Sequence, residues 1–301
     1  MTTTLASTTP TATSIAAAAP RPGIEPATLE PAALARLAVD AIASEALLTP
    51  KPGLVDGNGR GSHDDMNLQM LLRSSEALLP TFEGLAGLGQ QQLSRQQLRD
   101  RVGVLGRSGE GAMLQATDGV NTHRGALWAV GLLVTAAASS ATEDETLARA
   151  AELAATADSA GPPPRSSHGQ KALRAHGVSG AVGEAVAGFP HIVDVALPAL
   201  RSSLGRGESV ERARLRTLLA LIATVDDTCV LHRGGAAGLR WMQRSARRAE
   251  SAPDFDHALR AFSDEADRRR LSPGGSADLL AGAIFLDSLR FHLQENDHAH
   301  V

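Results

Sequence analysis

The chain has 301 residues, 43% of them hydrophobic, which is enough to bury a substantial core in one large domain or two closely packed halves. A formal net charge of -4 without a long Lys/Arg run gives no electrostatic footprint for nucleic acid or an anionic membrane surface. With 3% aromatic residues and no tyrosine, base-stacking platforms are hard to build, and the single cysteine, Cys229, excludes an internal disulfide and a thiolate zinc cage.

Residues 1–31 form a Thr/Ala/Pro tract without the basic start and apolar stretch of a signal peptide, so a disordered tail and a cytoplasmic address are expected. The longest apolar run, Gly125–Ala138, is too short to span a bilayer. Beyond the tail, apolar residues recur at helical spacing and no stretch alternates as a strand would. The expected fold is therefore all-α, a single compact multi-helix domain over residues 32–293. A Pro-rich loop at Asp158–Gly169 offers a division into halves 32–157 and 170–293.

In chain order, a first helix is expected over Pro31–Leu48, with Glu45 on the same stripe as Leu34, Leu37, Ala38, Ala41 and Ile42. A second covers Asp64–Phe82, glycines at 84–89 interrupt, and a polar helix follows at Ser94–Leu105. From Gly109 a further pattern puts Glu110 on one face with Met113, Leu114 and Thr117. The segment Thr122–Ala138 reads as a buried helix with His123 at its inner N-terminal end. Helices also fit Val178–Ala187, Ile192–Leu204, Glu211–Val225, Ala236–Glu250, Phe255–Arg270 and Ser276–Leu293.

Five polar segments exceed what a bundle needs. TPKPGLVD (Thr49–Asp56), followed by GSHDDM (Gly61–Met66), sets Lys51 in a rigid turn where its ammonium suits a phosphate; the bland alternative is a helix stop with a solvated lysine. In EGAMLQATDGVNTHRG (Glu110–Gly125), Asn121 or Thr122 can cap a helix whose N-terminus, with His123 and Arg124, offers donors to an anion. In DDTCVLHRGG (Asp226–Gly235), adjacent acids end an apolar stripe, which is costly unless they are paired or bound to a cation such as magnesium. In SPGGSADLL (Ser272–Leu280), Ser276 is a natural N-cap, Asp278 complements the helix dipole, and Gly274 and Gly275 allow close approach of a ligand. GEAVAGFP (Gly183–Pro190) reads as a packing turn without chemistry.

Together and in this order, TPKPGLVD, SHDDM, ATDGVNTHRG, GFP, DDTCVLHRGG and SPGGSADLL resemble the triphosphoribosyl-dephospho-CoA synthase family, from about Glu45 to Leu286. Asp118 stands where that pattern has glycine, Arg124 where lysine is frequent, and Cys229 where asparagine is frequent. Asp tolerates a left-handed backbone and Arg keeps the positive charge, whereas Cys229 removes a side-chain amide. The resemblance implies ATP and 3'-dephospho-CoA as substrates, a magnesium requirement, and a product passed by a prosthetic-group transferase to the carrier subunit of citrate lyase or malonate decarboxylase. The HRGGAAGLRWMQ stretch leans towards the malonate decarboxylase branch.

The implied reaction is a pentosyl transfer that releases adenine through an oxocarbenium-like state. For it, Glu110, Asp226 and Asp227 are expected on magnesium. Lys51, Arg124 and Arg233 are expected on phosphate, with Asn121, His232, Gly274, Gly275 and Ser276 also binding substrate. His63, Asp65, His123 and Asp278 are the acid and base candidates. A magnesium-dependent ADP-ribosyl-type hydrolase, which would use water in place of the dephospho-CoA hydroxyl, and a non-enzymatic helical nucleotide-binding scaffold are the competing readings.

Overall fold

The computed structural model describes residues 29–159, 161 and 177–299, with side chains described through His292. The expected disordered tail lies outside the described residues up to position 28, as do Pro162, Pro163 and Pro164 of the expected loop. The described residues are helical and contain no strand, in agreement with the all-α expectation. No single described helix is long and apolar enough to cross a membrane.

Helix α1 runs over Pro31–Leu47, started by Pro31 in its first turn, and buries Leu34, Ala38, Ile42 and, on the same face, Glu45. The single helix expected at Asp64–Phe82 is instead two. Asn67 caps α2 (Leu68–Ala77), and Pro80 restarts the chain as α3 (Leu79–Gly89). The glycines at 84–89 do not interrupt, and two of them, Gly84 and Gly89, let helices touch. A Cβ at Gly89 would lie 2.0 Å from the Thr135 carbonyl oxygen.

The next two expected helices are one, α4 (Arg95–Ala116), started by a capping box between Ser94 and Gln97. Its Gly109 sits against Thr81, so an apparent break is another packing contact. Helix α5 (Arg124–Ala137) is the buried axis, packed on α3 and on α6 (Glu143–Ala155), a helix that the motif-led reading passes over.

After α7 (Gly180–Val186), the chain turns at Gly188 and Phe189, both at positive φ, into a π-helical segment, His191–Ala196, which continues as α8 (Leu197–Gly205). Helix α9 (Val210–Thr224) follows. Helix α10 spans Thr228–Glu250 and is kinked at Gly235 (φ 57°), so the expected Ala236–Glu250 helix is its second limb. Helix α11 (Phe255–Arg268) leads to α12 (Gly274–Ala299), which packs on α1, α5 and α9. One apolar cluster draws residues from both expected halves, from Leu34 to Leu289, and so joins them in a common core.

Candidate active site

Three helix N-termini meet. Asp278, in the second turn of α12, lies against the backbone N–H of Ala126 at the start of α5, and a Cβ at Gly125 would lie 1.8 Å from its Oδ2. Asp227 caps α10: its Oδ1 accepts from the N–H of Cys229 (2.9 Å) and of Val230 (3.3 Å). Its Oδ2 accepts from the N–H (2.8 Å) and Oγ–H (3.0 Å) of Ser276. One buried carboxylate thus ties the starts of α10 and α12 together, and Asp278 brings the start of α5 beside them. Gly275 suits this closeness, since a Cβ there would meet the Asp227 carboxylate at 3.2 Å.

The carboxyl of Asp278 is pushed well above the usual carboxylate range, by burial first and then by the charges of Glu45 and Asp227. Asp227 is also raised by burial, with its four hydrogen bonds opposing the shift. The Cys229 thiol is pushed up by burial and by both aspartates, so it is a neutral packing group rather than a nucleophile.

On the α1 side, Lys51 is 2% exposed, and its Nζ donates to Glu45 Oε1 (2.8 Å) and to the Glu45 carbonyl (2.9 Å). Asp56 holds the turn by accepting from the Lys51 N–H at 2.9 Å. This ammonium is neither solvated nor free for phosphate, because Glu45 already neutralises it inside the protein. His123, also buried, shares a hydrogen bond between Nδ1 and Ser74 Oγ at 2.9 Å, and Ser74 in turn meets Thr122 Oγ1 at 2.6 Å. Burial, then the nearby Lys51 charge, push the imidazole down to about 3, so it is neutral at physiological pH. His123 is the N-cap residue of α5 without a side-chain cap bond; Asn121 Oδ1 supplies one instead, accepting from the Arg124 N–H at 3.2 Å.

His63 lies between Ser272 Oγ (2.9 Å from Nε2) and Arg233 Nη2 (3.1 Å from Nδ1). Arg233 can only donate, so Nδ1 accepts and Nε2–H donates to Ser272. Burial and Arg233 lower the His63 pKa, in keeping with that neutral tautomer. Arg233 also donates to the Ser62 carbonyl at 3.0 Å. Asp65 is exposed, with Oδ1 3.8 Å from His63 Nδ1, and His232 is exposed on α10.

The structure thus brings together Lys51, His123, Asp227, Asp278, Gly274, Gly275 and Ser276, with Arg233 and His63 at one edge. It does not assemble the expected magnesium set. Glu110 pairs with the exposed Arg124, Asp226 is exposed and accepts from Gln243 Nε2 at 3.3 Å, and both Asp227 oxygens are filled by protein donors. Among the described residues no three of His, Cys, Asp and Glu converge in an arrangement that could hold a metal ion. The two adjacent acids are separated because Asp227 turns inward as a cap while Asp226 faces solvent, and Glu110 is taken up by Arg124.

Glu45, Ser74 and Ser272 are members that motif reading left out. Glu45 carried a signal as a carboxylate on an apolar stripe, and Ser74 as a hydroxyl beside Leu71 on the buried face of α2. A groove of about 330 Å³ between α1, α9 and α12, reaching Leu37, Arg214 and Phe291, contains none of these residues.

Three helix starts gathered around Asp227 and Asp278, the latter pushed well above the usual carboxylate range, make this end of the helical bundle the candidate enzyme site. Residues 31–297 match the family described as ATP:dephospho-CoA triphosphoribosyl transferase, and the chain belongs to that family. It is 47% identical over 265 residues (85% of this chain, 91% of the relative) to a Pseudomonas savastanoi pv. phaseolicola protein named "Probable 2-(5''-triphosphoribosyl)-3'-dephosphocoenzyme-A synthase". A Klebsiella pneumoniae protein named "2-(5''-triphosphoribosyl)-3'-dephosphocoenzyme-A synthase" is 45% identical over 267 residues, 84% of this chain and 93% of the relative. No solved structure matches.

Proposed function

We propose that the protein transfers the 5-triphosphoribosyl group of ATP to the 2'-hydroxyl of 3'-dephospho-CoA and releases adenine, with Asp278 as the base. The observation that carries the assignment to this site is the placement of Asp278: a partly exposed carboxyl with raised proton affinity, where three helix N-termini meet. A carboxylate with raised proton affinity takes a hydroxyl proton more readily than an ordinary one does. As the hydroxyl oxygen bonds to the anomeric carbon, the glycosidic C–N bond breaks and its electron pair leaves with adenine. The proton accepted by Asp278 balances the one that adenine gains.

The helix starts, with Arg124 and Arg233 at the edges, would hold the triphosphate. Arg124 is half-exposed and is paired only with a surface glutamate, from which it can swing to a phosphate. Lys51 would act from a distance, by holding Glu45 and by adding to the burial that keeps His123 neutral; His123 would then orient a substrate group without acting as the acid or base. Magnesium would arrive on the triphosphate, since such ions are commonly held by substrate phosphates and water with few protein ligands. The finer reading, a product destined for the carrier of a malonate decarboxylase, rests on the His232–Gln243 stretch. Replacement of Asp278 by Asn tests the site: transfer should fall by about a hundredfold to ten-thousandfold while ATP still binds, and retention of turnover would reassign the base.

A further inference from the structure

The GFP turn leads into the π-helical segment His191–Ala196, which is clasped on two sides. Glu184 on α7 grips the first residue of the π-helical segment twice, accepting from the His191 N–H (Oε1, 2.8 Å) and holding His191 Nδ1 (Oε2, 2.8 Å). The imidazole also meets the Thr224 backbone carbonyl, the last of α9. Helix C-termini leave their carbonyls without partners. Here two of them are taken by side chains, Ala223 by Arg247 Nη2 (2.5 Å) and Val225 by Gln243 Nε2 (3.2 Å), and the Thr224 carbonyl between them faces the His191 ring. Two residues later comes Asp227, whose carboxylate ties α10 to α12.

The same π segment packs on α12, where Ile192 fills the space above Gly282 so closely that a Cβ there would sit 2.8 Å from its Cδ1. Phe189, fully buried at φ 58°, fixes the entry to the segment, and a bulky residue holds that backbone only when its surroundings over-determine it. The segment therefore touches both sides of the Asp227 tie: the turn that carries Asp227 and the helix that carries Ser276 and Asp278.

We infer that His191, clasped by Glu184, is a positioning residue that sets the α9–α10 turn and, through it, the Asp227 tie on which the catalytic geometry depends. The inference rests on the transfer reaction proposed above. Of the three side chains at those carbonyls, Arg247, His191 and Gln243, only the imidazole is of a type that changes charge in the physiological range. The titratable groups facing it are Glu184 on α7 and Asp226 in the turn, and hydrogen bonding to Glu184 is the main cause of its raised pKa. Protonated, the ring donates from both nitrogens; above its pKa it keeps one donor, and one end of the clasp opens.

Two measurements on the full chain test this. The first is backbone hydrogen exchange at fixed neutral pH in wild type and His191→Ala, read at the Cys229, Val230 and Ser276 amides. Faster exchange by about tenfold is expected there; unchanged protection would overturn the inference whether or not the protein transfers triphosphoribose. The second is the pH dependence of kcat for adenine release in wild type and Glu184→Gln, which keeps an acceptor for the backbone N–H while removing the charge that favours the imidazolium. The alkaline fall in kcat should move by about one unit towards acid, with KM for ATP little changed. Superimposable profiles, or a wild type without an alkaline fall, would overturn the positioning role. A wild type that releases no adenine, with the exchange difference intact, would instead remove the reaction assigned above.

Discussion

Asp278 holds two opposing demands at one carboxyl. Its folded pKa lies above that of the unfolded chain, so the folded state binds the extra proton, and stability falls as pH rises from about 4 through the folded value. Activity needs the same proton gone and should rise with pH over that window. Asp278→Asn should therefore remove transfer and raise thermal stability at pH 7, by on the order of 1 kcal/mol, in a melting experiment. The buried Lys51–Glu45 pair has the opposite character. Lys51→Met leaves a buried carboxylate alone and should cost about 3–5 kcal/mol, most of it recovered in the double variant Lys51→Met/Glu45→Leu, as denaturant titrations would read. At this scale the sequence was partly legible. Glu45 and His123 were recognisable as polar groups at inward positions, and Asp118 does adopt a left-handed backbone (φ 53°). That Lys51 faces Glu45 rather than a ligand was not legible, because both lie at inward positions whose pairing only the turn between them decides.

At the scale of elements, glycine was the residue most easily misread. Inside α3 and α4 it looks like an interruption, yet it marks helix crossings; only at Gly235 does it kink the helix it stands in. Gly125 gives the sharpest case. An exposed helical Gly→Ala change gains about 1 kcal/mol, but here the new methyl would overlap the Asp278 carboxylate. Gly125→Ala should lower both kcat and stability, and a neutral effect on turnover would place Asp278 away from the chemistry. Asp227 teaches the related lesson for charge. A pair of acids at a helix boundary suggested a metal, whereas one of them proved to be a shared cap for two helices brought together across 49 residues of sequence, a contact that no local pattern reveals. Asp227→Ala should leave four donors without their acceptor and destabilise the fold by about 2–4 kcal/mol in denaturant titrations. Chelation of magnesium should leave that stability unchanged.

For the whole molecule, the helical fold followed from periodicity, and the family from six ordered motifs that gather at helix starts and turns. The bundle brings α1, α5, α10 and α12 to one end, so segments as distant as Glu45 and Asp278 act together. Its most direct test is adenine release from ATP and magnesium, with and without 3'-dephospho-CoA, with the product mass recorded. The account predicts adenine only when dephospho-CoA is present, in step with one triphosphoribosyl adduct. Adenine or ribose phosphates released at the same rate without dephospho-CoA would contradict it and make water the acceptor.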